Sequence, residues 1–223
     1  MDIVSLRGRV ESLIHAHSRD YVPDMLESGF SCARCGWCCR ENFRIRITPN
    51  ILRPSNAISI FPDDIRRIMK GTGMKWDDVA QPDIYSCLSD GDKIWAIGWL
   101  LRRNEAEDCV FYRDGACAIY DFRPMICRCY PFFMGERGVE VMHCEGLGKE
   151  MARESAEAMA RMVKRYEMKK LRSYIRIIEQ IGDKLGLSNL RMLPRGYEGE
   201  VFVCDGEEIS RRQLNSENGI ARI

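Results

Sequence analysis

The chain has 223 residues, 34 Lys and Arg against 33 Asp and Glu, and a formal charge of +1, so no global field draws it toward nucleic acid or a membrane. Its longest apolar run falls short of the ~20 residues that a bilayer-spanning helix needs, and residues 1–9 lack the apolar stretch of a secretory signal. The expectation is therefore a cytoplasmic protein in a reducing compartment, where eleven cysteines call for an explanation other than disulfides.

Residues 3–17 carry Ile3, Leu6, Val10, Leu13 and Ile14 at helical spacing and predict an amphipathic helix, with His15 and His17 beside its C-terminal dipole rather than on a metal. A cysteine knuckle follows, Cys32-Ala33-Arg34-Cys35-Gly36-Trp37-Cys38-Cys39, and then a strand pattern over 43–48. Pro62, Asp63 and Asp64 open a helix expected to run to Lys70 and stop at Gly71, and a second short helix is expected near Trp76. Residues 93–101 are mostly aromatic and aliphatic. Asp114-Gly115 predicts a hairpin within 109–120, and 139–144 reads as another strand.

From 149 to 185 the pattern turns helical, with Leu171, Tyr174, Ile175, Ile178, Ile181 and Leu185 on one stripe and Gly186 as the stop. Its basic residues Lys164, Arg165, Lys169, Lys170, Arg172 and Arg176 read first as a solvated face, with an acidic protein or nucleic acid as the lesser alternative. A strand over 200–204 before Asp205-Gly206 predicts a hairpin and a loose terminus. The expected fold class is α+β: a small cysteine-rich, β-containing metal-binding body with an N-terminal helix and a long C-terminal helix. The expected divisions are a metal-binding domain at 1–148, a helical extension at 149–194 and a hairpin-like tail at 195–223.

Cysteines spaced C-x2-C place two thiolates on one side of a tight turn, within reach of one metal. Cys32, Cys35 and Cys38 repeat that step. A C-x2-C-x2-C run with a remote fourth cysteine leans toward an iron–sulfur cluster of the [4Fe–4S] type over zinc, whose sites usually pair two separate knuckles. Neighbouring side chains diverge, so one of Cys38 and Cys39 can serve a second site. Gly36 permits a positive φ in the loop, and Arg34 and Arg40 either offset thiolate charge or are plain loop residues.

The knuckle followed by C-x7-C-x-I-Y-x2-R-P-x2-C-R-x-Y-P-F, which spans Cys109, Cys117, Arg123-Pro124, Cys127 and Phe132, resembles the CxxCxxCC cysteine-cluster family. This zinc- or iron-chelating domain family is also called YkgJ-like, and flagellin lysine N-methylase is related to it. The resemblance covers about residues 30–147. It implies metal binding, and its cysteines fall on Cys32, Cys35, Cys38, Cys39, Cys109, Cys117, Cys127 and Cys144.

Cys87, Cys129 and Cys204 stand outside the family pattern, and the stretch 50–59 and the extra Cys129 depart from it. Pro124 is expected to fix a turn that returns Cys127 toward Cys117, with Arg123 donating to a sulfur or carbonyl or pairing with Asp121 or Asp114. His143 is an optional substitute for one thiolate. These residues allow a carrier, sensor or electron-transfer protein with a protein or redox partner, a cluster-dependent protein-modifying enzyme, or a zinc-stabilised interaction module. Gly71-Thr72-Gly73 and Gly146-Leu147-Gly148 lack the βαβ context of a nucleotide loop, and the C-x3-C-x2-C spacing of radical enzymes is absent. No set of catalytic side chains can be singled out.

Overall fold

The computed structural model describes residues 3–40, 42–49, 51–90, 92–135, 138–182, 190–193 and 197–214. It is an α+β protein with an N-terminal helix, a long C-terminal helix and several small sheets. No helix among the described residues is long and apolar enough to cross a membrane.

Helix α1 (Ile3–His15) buries Leu6 and Leu13 against Leu171 of α6 (Arg153–Ile181). Helix α6 buries Ala156, Ala160, Val163, Glu167, Leu171, Ile177 and Ile181, steps of three and four with one of six that keep one face inward. Glu167 is ionisable yet buried, and it stays compensated by Arg9 at 3.1 Å and Lys170 at 2.5 Å. Lys164 donates to the Ala16 carbonyl at 2.6 Å and Lys169 pairs with Asp63, so half of the basic residues noted on this helix are partnered within the fold. Gly186 and Leu185 lie outside the described residues, as do 215–223 of the expected loose terminus.

Helix α2 (Val22–Ser28) has no counterpart in the sequence reading; Pro23 in its first turn and Gly29, with φ +56° as its C-cap, delimit it. A hairpin, β1 (Arg44–Thr48) and β2 (Ile51–Pro54), follows the knuckle. Helix α3 (Pro62–Thr72) begins on Pro62, Asp63 and Asp64 but does not stop at Gly71: it continues to Thr72, and Gly73, left-handed at φ +73°, caps it. Only Gly73 supplies the backbone conformation that a terminating turn needs. Helix α4 (Trp76–Val79) is a single turn.

The apolar run at 93–101 is two strands. Gly98, at φ +85°, turns the chain between β6 (Lys93–Ile97) and β7 (Trp99–Leu101) and sends them to different sheets. Strand β7 lies between β3 (Ser59–Ile60) and β4 (Ala80–Pro82). Strand β6 joins β5 (Cys87–Asp90), β12 (Leu190–Arg191), β13 (Gly199–Cys204) and β14 (Ile209–Leu214) in the order β12-β5-β6-β13-β14. Strands β13 and β14 form an antiparallel hairpin, and β13 pairs in parallel with β6. The largest core cluster lies between these two sheets and α3, with Ile65, Ile68, Trp99, Leu100, Val201 and Val203 among its members.

The remaining short elements carry cysteines: the hairpin β8 (Tyr112–Arg113) and β9 (Ala116–Cys117), helix α5 (Met125–Cys129), and the hairpin β10 (Phe132–Met134) and β11 (Val139–Val141). Asp114 and Gly115 take φ of +50° and +78°, the left-handed pair that a tight two-residue hairpin requires.

Candidate metal centre

The knuckle is anchored at both ends. Ser31 N–H donates to the Gly146 carbonyl at 3.0 Å, and Phe30 and Leu147 form a bridge, so residues 144–148 lie against the start of the cysteine run. A Cβ on Gly146 would stand 2.4 Å from the Ser31 carbonyl oxygen. Within the run Gly36 is left-handed at φ +75°, as its position suggested, and a tight turn at Trp37–Cys39 follows. This turn brings the Cys38 and Cys39 sulfurs to 4.0 Å from one another.

The second cysteine segment is bonded directly to the first. Cys109 N–H donates to the Cys39 carbonyl at 2.8 Å. The buried Asn56 side chain donates both to that carbonyl, at 3.2 Å, and to the Glu107 carbonyl, at 2.7 Å. Asn56 lies in the stretch that departed from the family pattern, and no local motif distinguishes it. In the β8–β9 hairpin, Tyr112 faces Cys117 across the turn and packs its ring against Gly36.

Helix α5 begins after Pro124, where the buried Asp64 of α3 accepts from Met125 N–H at 3.1 Å and from Arg67 at 2.7 Å. Arg67 also donates to the Arg123 carbonyl at 2.7 Å. Arg123 itself takes the carbonyl option, donating Nε to the Tyr120 carbonyl at 2.8 Å while its guanidinium lies 3.5 Å from the centre of the Tyr120 ring. Arg34, at φ +55°, has its guanidinium 4.3 Å from the centre of that ring.

The thiols act on one another in two overlapping groups. Cys39 is pushed well up by hydrogen bonding with Cys109 first, then with Cys117 and Cys38, and by burial. Cys117 is pulled down to about 6 by its bond with Cys39, helped by the Ile119 N–H and the charge of Arg123 against the effect of burial. Cys38 is lowered, chiefly by Cys39. Burial raises Cys127, with the nearby negative charge of Cys109, Cys38 and Cys117 adding to it.

In the other group burial raises Cys144, and the charges of Cys35, Cys38 and Cys32 raise it further. Gly146 N–H points at the Cys144 sulfur, 3.4 Å away. Cys38 acts on both groups. His143 stacks edge-on against Trp37 with ring centres 4.8 Å apart, and its carbonyl accepts from the Tyr130 hydroxyl.

Three thiols point elsewhere. Cys87 donates to the Asp83 carbonyl at 3.3 Å, Cys204 donates to Gln180 at 2.9 Å, and Cys129 packs in the apolar cluster of α2 and α6. All three are buried, and burial pushes each upward, Cys129 to about 12. An extended segment would have turned Cys127 and Cys129 to the same face; α5 separates them, since residues two apart on a helix diverge.

The soft donors brought together here suit zinc or iron. A profile of the CxxCxxCC family, described as a putative zinc- or iron-chelating domain, matches residues 31–170. The chain belongs to this family. The matched region holds the whole knuckle, the downstream cysteines and the first part of α6. Neither a curated protein nor a solved structure matches the chain. Among the described residues, no three His, Cys, Asp or Glu side chains form a ready-made cage for a single ion.

Proposed function

We propose that the protein is a cytoplasmic iron–sulfur protein that passes electrons, with Cys32, Cys35, Cys38 and Cys144 holding a [4Fe–4S] cluster and Cys39, Cys109, Cys117 and Cys127 forming a second thiolate centre. The observation that carries this reading is the return of residues 144–148 to the knuckle, where Ser31 N–H donates to the Gly146 carbonyl at 3.0 Å and Phe30 bridges Leu147. Three cysteines from one short loop plus a remote fourth is the ligand pattern of bacterial-type ferredoxins.

Cys32 and Cys38 are exposed, which leaves a cluster at this end open to a redox partner. All eleven thiols are free to take part in ligation or packing. Thiols must lose their protons to ligate, and the lowered Cys38 and Cys117 are the first to do so. Metal uptake would complete each shell by rotation of cysteine side chains on a backbone already fixed by the Cys109–Cys39 and Ser31–Gly146 bonds.

One observation favours zinc at the second centre: the segments of Cys39 and Cys109 are joined by a main-chain bond and by the buried Asn56 amide, as in a closed structural site. The test of the cluster is electron paramagnetic resonance on anaerobically purified protein reduced with dithionite. A signal from a reduced cluster is expected in the wild type and not in Cys144→Ser. A silent wild-type protein with zinc at full occupancy would refute the cluster.

A further inference from the structure

Behind the knuckle lies a cavity of about 610 Å³, lined by Trp37, Cys38 and Cys127 at the thiol end and by Trp99, Ile177 and Asp205 toward α6. Small-molecule sites run to roughly 300–1,000 Å³, whereas packed interiors contain few voids larger than a water. Its walls are mainly aliphatic and aromatic, and Trp99, Phe132 and Ile177 among them are buried core side chains.

The charged groups lining it are nearly all engaged. Arg53 is held by Asp83 at 2.9 Å, by the Ala57 carbonyl and by Ser59. Lys170 pairs with Glu167, and Asp205 accepts from Trp99 Nε1 and from the Glu207 and Glu208 amides. Arg40 differs. Its guanidinium lies 5.9 Å from the centre of the Tyr112 ring, yet its Nε is buried without a hydrogen-bond partner, and no other lining residue among the described ones carries such an atom.

The main chain that carries Arg40 is fixed in place: its backbone N–H donates to the Trp37 carbonyl at 3.3 Å, and Asn42 clamps the Arg40 and Trp37 carbonyls at 3.1 and 2.6 Å. A buried, unpartnered guanidinium N–H is costly, and an anion relieves that cost with a charge-assisted bond.

We propose that this cavity binds a small amphipathic organic anion, its apolar body against the wall toward α6 and its carboxylate, sulfonate or phosphate on Arg40, beside Cys38 and Cys127. This site goes beyond the cluster reading and does not depend on it. If a cluster is held by the knuckle, the charged end of the ligand is its neighbour.

The test uses the full-length protein as purified with its metal, and two probes of nearly the same shape: the anionic 8-anilinonaphthalene-1-sulfonate and the neutral N-phenyl-1-naphthylamine. Each should light up saturably, one per chain. Arg40→Gln should weaken the sulfonate by about tenfold, as expected for loss of one charge-assisted bond, and leave the neutral probe unchanged. Ile178→Trp, which fills the cavity from a half-buried lining position, should weaken both.

In the unaltered protein decanoate should displace the sulfonate far better than decanol, which keeps the assignment testable should Arg40→Gln fail to fold. No saturable binding of either probe, equal displacement by acid and alcohol, or an unchanged sulfonate affinity in Arg40→Gln would overturn the proposal. The last result together with lower metal content would assign Arg40 to the thiolates instead. Iron and sulfide measured on the same samples separate the two readings: probe binding without a cluster supports the cavity and overturns the cluster, and a cluster without probe binding does the reverse.

Discussion

The amide of Cys109 donates to the carbonyl of Cys39 at 2.8 Å, so the end of the knuckle and the first downstream cysteine are joined main chain to main chain. Asn56 reinforces this joint from a fully internal position, 2% exposed, by holding the Cys39 and Glu107 carbonyls with one amide. Two segments far apart in sequence thereby become one rigid support for thiols.

Asn56→Ala leaves both carbonyls without that donor and opens a small void, which should destabilise the protein by about 2–4 kcal/mol in urea denaturation. Metal should also leave faster when a chelator is added. Unchanged stability and an unchanged release rate would remove Asn56 from the support.

Gly36 and Gly115 share a left-handed backbone but not their surroundings. A Cβ at Gly36 would stand 2.2 Å from the Tyr112 ring, while one at Gly115 meets nothing within 4 Å. Gly115→Ala should cost only the backbone strain, about 1–2 kcal/mol. Gly36→Ala should cost more and lower metal content, because Tyr112 pairs with Cys117 and displacing its ring moves that cysteine. Equal effects of the two substitutions on stability and metal content would contradict the contact.

Cys117 gives the metal-free protein a pH dependence of known sign. Its thiol titrates at about 6 when folded and near the ordinary 9.0 when unfolded, so between these values the unfolded chain binds more protons. Stability contributed by Cys117 is therefore fully present above about 9 and is lost as pH falls through about 6. Cys39, Cys127 and Cys144, all raised, act oppositely and withdraw stability as pH climbs beyond their ordinary value. Urea denaturation across pH should show the rise between about 6 and 9 flattened in Cys117→Ser, and an identical slope in both proteins would refute the assignment.

Much of the fold is legible in the sequence where one element settles its own form. The helical spacing of α6, the Pro-Asp-Asp start of α3 and the Asp114-Gly115 hairpin are local signals, and each element forms, although in the stripe of α6 Tyr174 is exposed and Ile177, outside it, is buried. The division of 93–101 at Gly98 is less so, because an apolar run reads the same in one strand or two. The parallel pairing of β6 with β13 joins segments about a hundred residues apart, which no local pattern specifies. At the candidate site the knuckle is local and readable, whereas the approach of Cys144 to it and the Asn56 clamp arise only from tertiary packing.

Cys127 and Cys129 should separate cleanly. Cys129→Ser places a hydroxyl in the apolar cluster of α2 and α6, costing about 1–3 kcal/mol, with metal content unchanged. Cys127→Ser should lower metal content, since its thiol lies among those of Cys109, Cys38 and Cys117. Cys87→Ser and Cys204→Ser should keep the metal as well. Metal lost from Cys129→Ser and kept in Cys127→Ser would move the ligand from one face of α5 to the other.

The most direct measurement is the amount of iron, acid-labile sulfide and zinc per chain in protein purified without oxygen from iron-replete cells. A filled [4Fe–4S] centre predicts iron and sulfide in equal amounts, about four of each per chain, with visible absorption that bleaches on reduction. Stoichiometric zinc with no sulfide would contradict an iron–sulfur protein and leave closed thiolate sites that serve the fold alone.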